Sequence, residues 1–488
     1  MRTNALCLGG LVALSGLLLH AEESAPTAVP RPVPLTRPEM KQYLEDLKTR
    51  PQRIPLPELT EADRTQLGER AQSYESRLRY HYLPGGEGLP GGFGGAGGPA
   101  GAARAGTNNR TGAAGFDFTR NADPRMTLDY PFKTMLFWIV SRTNNCQYCL
   151  GHQEQKLSAA GLTEDQIAAL DFDWERYTPA QQAAFAYARK LTFEPHRIGE
   201  SDVDALRKHY TDLQILEMTT SISGNNSINR WKEGAGIPQS KTGESFFRRA
   251  VADLPKDRPV PNESFLTPTS PEFLQSITIV APLQLDAKTG TPTRATVCNR
   301  PALESRGEVE RALETCRRRQ PRLPIVTDGE AREVLADVWP AETFPQWARL
   351  LANFPVEGKN RIQGLRSADD KGDLTPKLKA QVSWIVARQD RAWYAAHQAR
   401  QRLLDLGQTD DEVFLLDGSW NEFSAAEQAQ FNVARNLAAT PIVLTDDDVS
   451  LALKQTSPRE VVQLINYVTG RAYFDRVTEA AGLGWDSP

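Results

Sequence analysis

The chain repeats itself. Adding 246 to a position between 138 and 236 lands on a related residue without a gap: Trp138-Ile139-Val140 returns as Trp384-Ile385-Val386, Asp171 as Asp417, Trp174 as Trp420, Pro195 as Pro441, Arg230 as Arg476 and Gly236 as Gly482. Roughly thirty of the ninety-nine positions are identical in this register, far above chance for one fixed offset. Whatever fold the first copy adopts, the second must adopt too.

That fold reads as helical. Phe132 to Arg142 is an apolar helix, and Cys146 to Ala160 a second one stopped by Gly161. Thr163-Glu164-Asp165-Gln166 opens the next as a capping box, and Thr178-Pro179 supplies an N-cap and a first-turn proline before Ala183 to Thr192. Ser201 to His209 and Asp212 to Glu233 complete the set. The one strand-like run is Ile277 to Val280. The expected fold class is all-α, a helical bundle present twice, with Trp138, Trp174 and their repeats in the core.

Loose segments divide the chain. Residues 1–21 hold one Arg and then an apolar run from Ala5 to Leu19, too short to span a membrane and arranged as a signal peptide. Export to the periplasm or outside is expected, with no stable membrane insertion. A Pro-rich leader follows at 22–38, then a first domain at 39–253 that carries a Gly-rich insertion at 84–115. A Pro-punctuated linker at 254–271 leads to a second domain at 272–488. A net charge of −4 lacks the basic footprint of a nucleic-acid binder.

Five cysteines occur, and Cys7 lies inside the apolar run. Cys298 and Cys316 could close a loop in an oxidising compartment or stay unpaired. Cys146 and Cys149 are different, because a two-residue gap at a helix start brings two sulfurs within disulfide reach, and His152 returns to the same helix face. Zinc would need two more ligands at similar spacing, and no second Cys-x-x-Cys or His-x3-His exists in the 488 residues. Thiol redox chemistry is the reading, with no metal and no cofactor beyond a Cys146–Cys149 disulfide. Physics leaves the attacking sulfur open: the helix dipole favours Cys146, and His152 one turn on favours Cys149.

The run Cys146-Gln147-Tyr148-Cys149-Leu150-Gly151-His152, then QQAAFAYARKLTFEP, then NNSINRWKEGAGIP with Asn226, Asn229 and Arg230, resembles the carboxymuconolactone decarboxylase and AhpD-like alkylhydroperoxidase superfamily. The likeness covers about a hundred residues of each half, and in the second half extends upstream through WPAETFPQWARLLANFP. It implies two tandem AhpD-like bundles and a thiol-dependent peroxidase. Cys149 would attack a hydroperoxide, Cys146 would resolve the sulfenic acid, and a thiol donor would re-reduce the pair. It also implies a homo-oligomer. Two positions depart from the family pattern: Gln153 stands where a histidine is usual, with His152 one place earlier, and Thr134 stands where a glutamate is usual. Glu154 is the nearest substitute carboxylate, and Tyr148, Asn226, Asn229 and Arg230 are further accessory candidates. Two other readings are a thiol-disulfide exchanger or scaffold with the pair resting as a disulfide, and, on the family name alone, a lactone decarboxylase.

The second copy lacks the chemistry. Cys146, Cys149 and His152 map to Ala392, Ala395 and Gln398, with His397 one residue out of line. It is expected to be a structural partner, or else a cysteine-free pocket built on His397. His81, His196 and His209 read as surface or satisfied histidines. Arg230 reads as one half of a buried ion pair with a carboxylate such as Glu217, or as an anion-binding residue.

Overall fold

The computed structural model describes residues 33–34, 37–84, 123–171, 173–239 and 303–485. Its described residues form nineteen α-helices and no strand. The signal-peptide run, residues 85–115 of the Gly-rich insertion, the linker 254–271, the Ile277–Val280 run and Cys298 lie outside them.

Three helices lead into the first repeat: α1 (Arg37–Asp46), α2 (Glu61–Leu67) and α3 (Tyr74–Tyr82). The repeat itself is α4 (Tyr130–Thr143), α5 (Gln147–Ala159), α6 (Glu164–Ala169), α7 (Pro179–Phe193), α8 (Glu200–Arg207) and α9 (Asp212–Gly234). Four more helices, α10 (Arg306–Arg317), α11 (Asp328–Leu335), α12 (Gln346–Leu351) and α13 (Glu357–Asp370), lead into the second. That repeat is α14 (Pro376–Asp390), α15 (Trp393–Asp405), α16 (Asp410–Leu415), α17 (Ala425–Ala438), α18 (Asp446–Gln455) and α19 (Pro458–Ala481). All six helices of the second repeat begin 246 residues after their counterparts in the first.

Local chemistry explains the shared ends. Asp129 and Thr375 cap α4 and α14 by accepting from Phe132 N and Leu378 N, and each helix has a proline in its first turn. Thr163 and Thr409 close capping boxes at α6 and α16, as Thr211 and Ser457 do at α9 and α19. Gly236 and Gly482, at φ +62° and +65°, end the last helix of each repeat. A Cβ there would come within 2.8 Å of Arg53 or Arg322, so glycine is needed for space as well as for conformation. Arg37, within the stretch expected to be an extended leader, instead opens α1 and is buried against α5 and α6 through Glu154 and Glu164.

The repeats share one core. α9 lies along α19, and a single cluster of buried side chains runs from Met40 through Trp138 and Trp231 to Trp384 and Leu483. Trp174 sits at the edge of this core, half-buried, with its Nε1 donating to Leu170 O and Arg189 over its face at 4.1 Å. Trp420 and Arg435 repeat that stack at 4.2 Å. The joint between repeats is reciprocal. Arg230 Nη2 donates to Ala438 O at 2.8 Å, and Arg476 Nη2 donates to Thr192 O at 3.0 Å, which is the same contact made in both directions, as across a two-fold axis. Among the described residues no helix is long and apolar enough to cross a membrane.

Candidate functional site

The α4–α5 turn sets the geometry. Asn144 caps α4, Asn145 takes the left-handed conformation at φ 59°, and Cys146 becomes the N-cap of α5, with its N–H on Ser141 O at 2.9 Å. Asparagine tolerates that conformation better than most residues. Arg391 repeats it at φ 54° in the second repeat. One helical turn later Cys149 comes back over Cys146, and the two sulfurs lie 2.7 Å apart, both as thiols. Cys146 is fully buried and Cys149 is 2% exposed, packed with Phe137 of α4 and Ile228 of α9 under Tyr148.

Burial, the hydrogen bond with Cys149 and the negative charge of Glu233 hold the Cys146 thiol well above its ordinary range. The helix dipole acts the other way, and burial wins at this position. Glu233 lies 3.7 Å from Arg50. Its counterpart Glu479 accepts from the Trp393 and Tyr394 backbone amides at the start of α15 and pairs with Arg319 at 2.7 Å.

His152 stands edge-on to the Tyr148 ring, centroids 4.5 Å apart. Burial, with Lys232 and Lys156 opposing a further positive charge, pushes its imidazole down to about 4. It is therefore neutral near pH 7, and the same surroundings make it a weak base that can hold a proton only transiently. The Lys232 ammonium lies 4.7 Å from the Tyr148 ring centroid, and burial, only partly offset by that cation, raises the Tyr148 phenol above its ordinary range. Lys232 is 8% exposed and pairs with Glu75 of α3, which also accepts from Trp231 Nε1 at 2.7 Å and from Arg79 at 3.0 Å. Against the burial penalty, Lys232 and Arg79 hold Glu75 down to about 2.

The other candidates fall elsewhere. The Glu154 carboxylate is bound by Arg37 and by Trp138 Nε1 at 3.1 Å. Asn226, Asn229 and Arg230 gather behind the α4–α5 turn: Asn144 Nδ2 donates to Asn226 Oδ1 and Asn229 Oδ1 at 2.9 Å each, Asn229 donates to Ser141 Oγ, and Arg230 donates to Asn226 Oδ1. They hold the turn two residues before Cys146. The expected Arg230–Glu217 pair is not formed. Glu217 takes Lys133 at 2.8 Å and the Thr127 and Leu128 amides, because it lies more than three turns up α9 from Arg230. Thr134, where the resemblance leads one to expect a glutamate, bonds back to Tyr130 O. Cys316 is a buried thiol facing Leu483 O at 3.6 Å. His81 and His196 are half-buried, burial pushing His196 down to about 3, and His209 is exposed.

Glu75, Lys232 and Glu233 were not legible as site residues. Lys232 and Glu233 directly follow the Asn-x-x-Asn-Arg element, which would have placed them on α9 near the site. A second missed signal is Arg50-Pro-Gln-Arg53-Ile-Pro against Arg319-Gln-Pro-Arg322-Leu-Pro. Arg53 donates to Glu233 O and Gly234 O, as Arg322 does to Glu479 O and Ala480 O, so the duplication reaches upstream of position 138.

In the second repeat the space beside Ala392 and Ala395 is occupied differently. Phe474 stands where Ile228 does, flanked by Tyr394 and Trp347, and Gln398 donates to the Tyr394 hydroxyl at 3.0 Å. His397 stacks on Trp485 at 3.7 Å. Among the described residues no group of three or more His, Cys, Asp or Glu is placed to hold a metal ion. No protein-family model matches the chain, and a search of the curated proteins found none that matches it.

Proposed function

We propose that this is a tandem AhpD-like protein whose first repeat reduces hydroperoxides through a Cys146/Cys149 dithiol–disulfide cycle. The observation that carries the reading is the 2.7 Å approach of two free sulfurs at a helix start, beside a neutral histidine. A pair so placed closes a disulfide with side-chain motion alone. Cys149 is the attacking sulfur and Cys146 resolves, so two thiols and one hydroperoxide give a disulfide, an alcohol and water. The second repeat is a packing partner. A small-molecule or protein dithiol re-reduces the pair, and the signal-like composition of the first 21 residues supports a reaction outside the cytoplasm.

The test is single-turnover mixing of the reduced protein with an alkyl hydroperoxide. Loss of two thiols per chain with a Cys146–Cys149 crosslink by mass spectrometry is expected, and abolition of that loss by Cys149→Ser. Thiol loss at the rate seen in buffer alone overturns the reading. The burial of both sulfurs favours a second one, a thiol-disulfide exchanger that opens only for a partner. A potential near −200 mV or above, together with inert behaviour toward peroxide, selects that alternative.

A further inference from the structure

The dithiol site departs from its family's pattern at Thr134 and Gln153, and α3 and α9 bring other proton-carrying groups to the same place. Tyr148 packs on the two cysteines, the Lys232 ammonium lies 4.7 Å from its ring centroid, and Lys232 is locked to Glu75. The pair Lys232–Glu75 is neutral as a unit. A tyrosinate formed beside it is met by a buried cation, so loss of the Tyr148 proton costs less than it would among apolar side chains. His152, edge-on to the same ring, completes the group.

We propose that Tyr148, Lys232 and Glu75 form the proton relay of the dithiol site, with Tyr148 protonating the leaving oxygen and Lys232 and Glu75 positioning it. The inference rests on the peroxidase reading above. His152 takes the Cys149 thiol proton. The thiolate then attacks the terminal peroxide oxygen, the S–O bond forms, the O–O bond breaks with its electron pair on the alkoxide, and sulfur is oxidised as the peroxide is reduced. Tyr148 passes its proton to the alkoxide, which is far more basic than a phenolate, and regains one from His152. Cys146 attacks the sulfenic sulfur, the S–S bond forms, and hydroxide leaves with the Cys146 proton as water. Nothing is left over.

Leaving-group chemistry tests this directly. An alkyl hydroperoxide expels an alkoxide and needs the proton, whereas peracetic acid expels acetate and does not. Tyr148→Phe keeps the ring, and so the packing, and is expected to slow single-turnover oxidation by tert-butyl hydroperoxide about 10²-fold while leaving the peracetic acid rate within about threefold. Lys232→Met is expected to show the same split, and Lys232→Arg to restore part of it. Equal slowing by both oxidants in Tyr148→Phe, or slowing by neither, overturns the relay and leaves the peroxidase reading standing. A wild-type protein that reacts with neither oxidant overturns both.

Discussion

The helix pairs α4–α5 and α14–α15 have one backbone and two chemistries. Both carry an ion pair 29 residues apart, Arg142–Asp171 at 3.2 Å and Arg388–Asp417 at 3.0 Å, and both turn through a left-handed residue. Beyond that they diverge. Around the first turn Asn144 and Asn226 answer Arg230 without a carboxylate, and burial with the nearby Arg476 pushes that guanidinium down from its usual range. Around the second, Asp390 answers Arg476 with both oxygens, at 2.7 and 3.0 Å. Where the first repeat packs two thiols with Ile228, the second has two buried alanines, and Phe474 at the position of Ile228 packs against Tyr394 and Trp347. The second copy, without cysteines, holds aromatic packing and a full ion pair at the corresponding place. The first holds two buried thiols beside a turn fixed by asparagine and serine side chains.

The largest effect should separate the two arginine networks. Asp390→Ala strands a buried guanidinium and is expected to cost about 3–5 kcal/mol in urea unfolding, against about 1–3 kcal/mol for Asn144→Ala, which loses neutral-group bonds. Equal losses would mean that the arginines are held mainly by the backbone carbonyls of the opposite repeat. Next comes the filling of the two sites. Phe474→Ala is expected to cost about 3 kcal/mol through the cavity it leaves, while Ile228→Ala costs about 2 kcal/mol. Ile228→Ala should also speed iodoacetamide labelling of Cys149, because it thins the cover over the sulfur. Unchanged labelling would show that access comes from another side.

The one effect of opposite sign concerns Asp475, which stands where the first repeat has Asn229. Asn229 donates to Ser141 and accepts from Asn144, but at 475 those partners have become Ala387 and the like-charged Asp390. Both Asp475 oxygens are buried without a hydrogen bond, and burial with Asp390 pushes this carboxyl well up. A raised folded-state value stabilises the protein only below the unfolded value of about 3.9, and that contribution is lost as pH rises through and above it. Asp475→Asn is therefore expected to raise stability at pH 7 by about 1–3 kcal/mol and to do little at pH 4. A destabilised variant at pH 7 would show that the carboxylate is charged and matched in place.

Much of the fold was legible because helix ends are local. The cap at Thr163, the first-turn proline after Thr178 and the stops at Gly161 and Gly236 each need only residues within a turn of one another, and the structure differs from those expected bounds by a few residues at most. The cysteine pair was legible for the same reason, being one turn of one helix. What escaped depends on long-range approach. Glu75 lies 157 residues from Lys232, and no spacing rule connects α3 with α9. Glu154 looked available on α5, yet Arg37 claims it from 117 residues away. Arg230 was expected to seek a carboxylate along its own helix, and found carbonyls of the other repeat instead.

The division has a physical cause. Capping, periodicity and the two-residue gap between thiols are short-range, and a fixed 246-residue offset carries the first two twice; together they specify an all-helical chain with one Cys-x-x-Cys turn and one copy of that turn without cysteines. Burial and electrostatics are collective. Which lysine faces Tyr148 and why the Cys146 thiol is held protonated were decided only when α3, α5 and α9 packed together, and how two arginines cross between repeats only when α9 met α19.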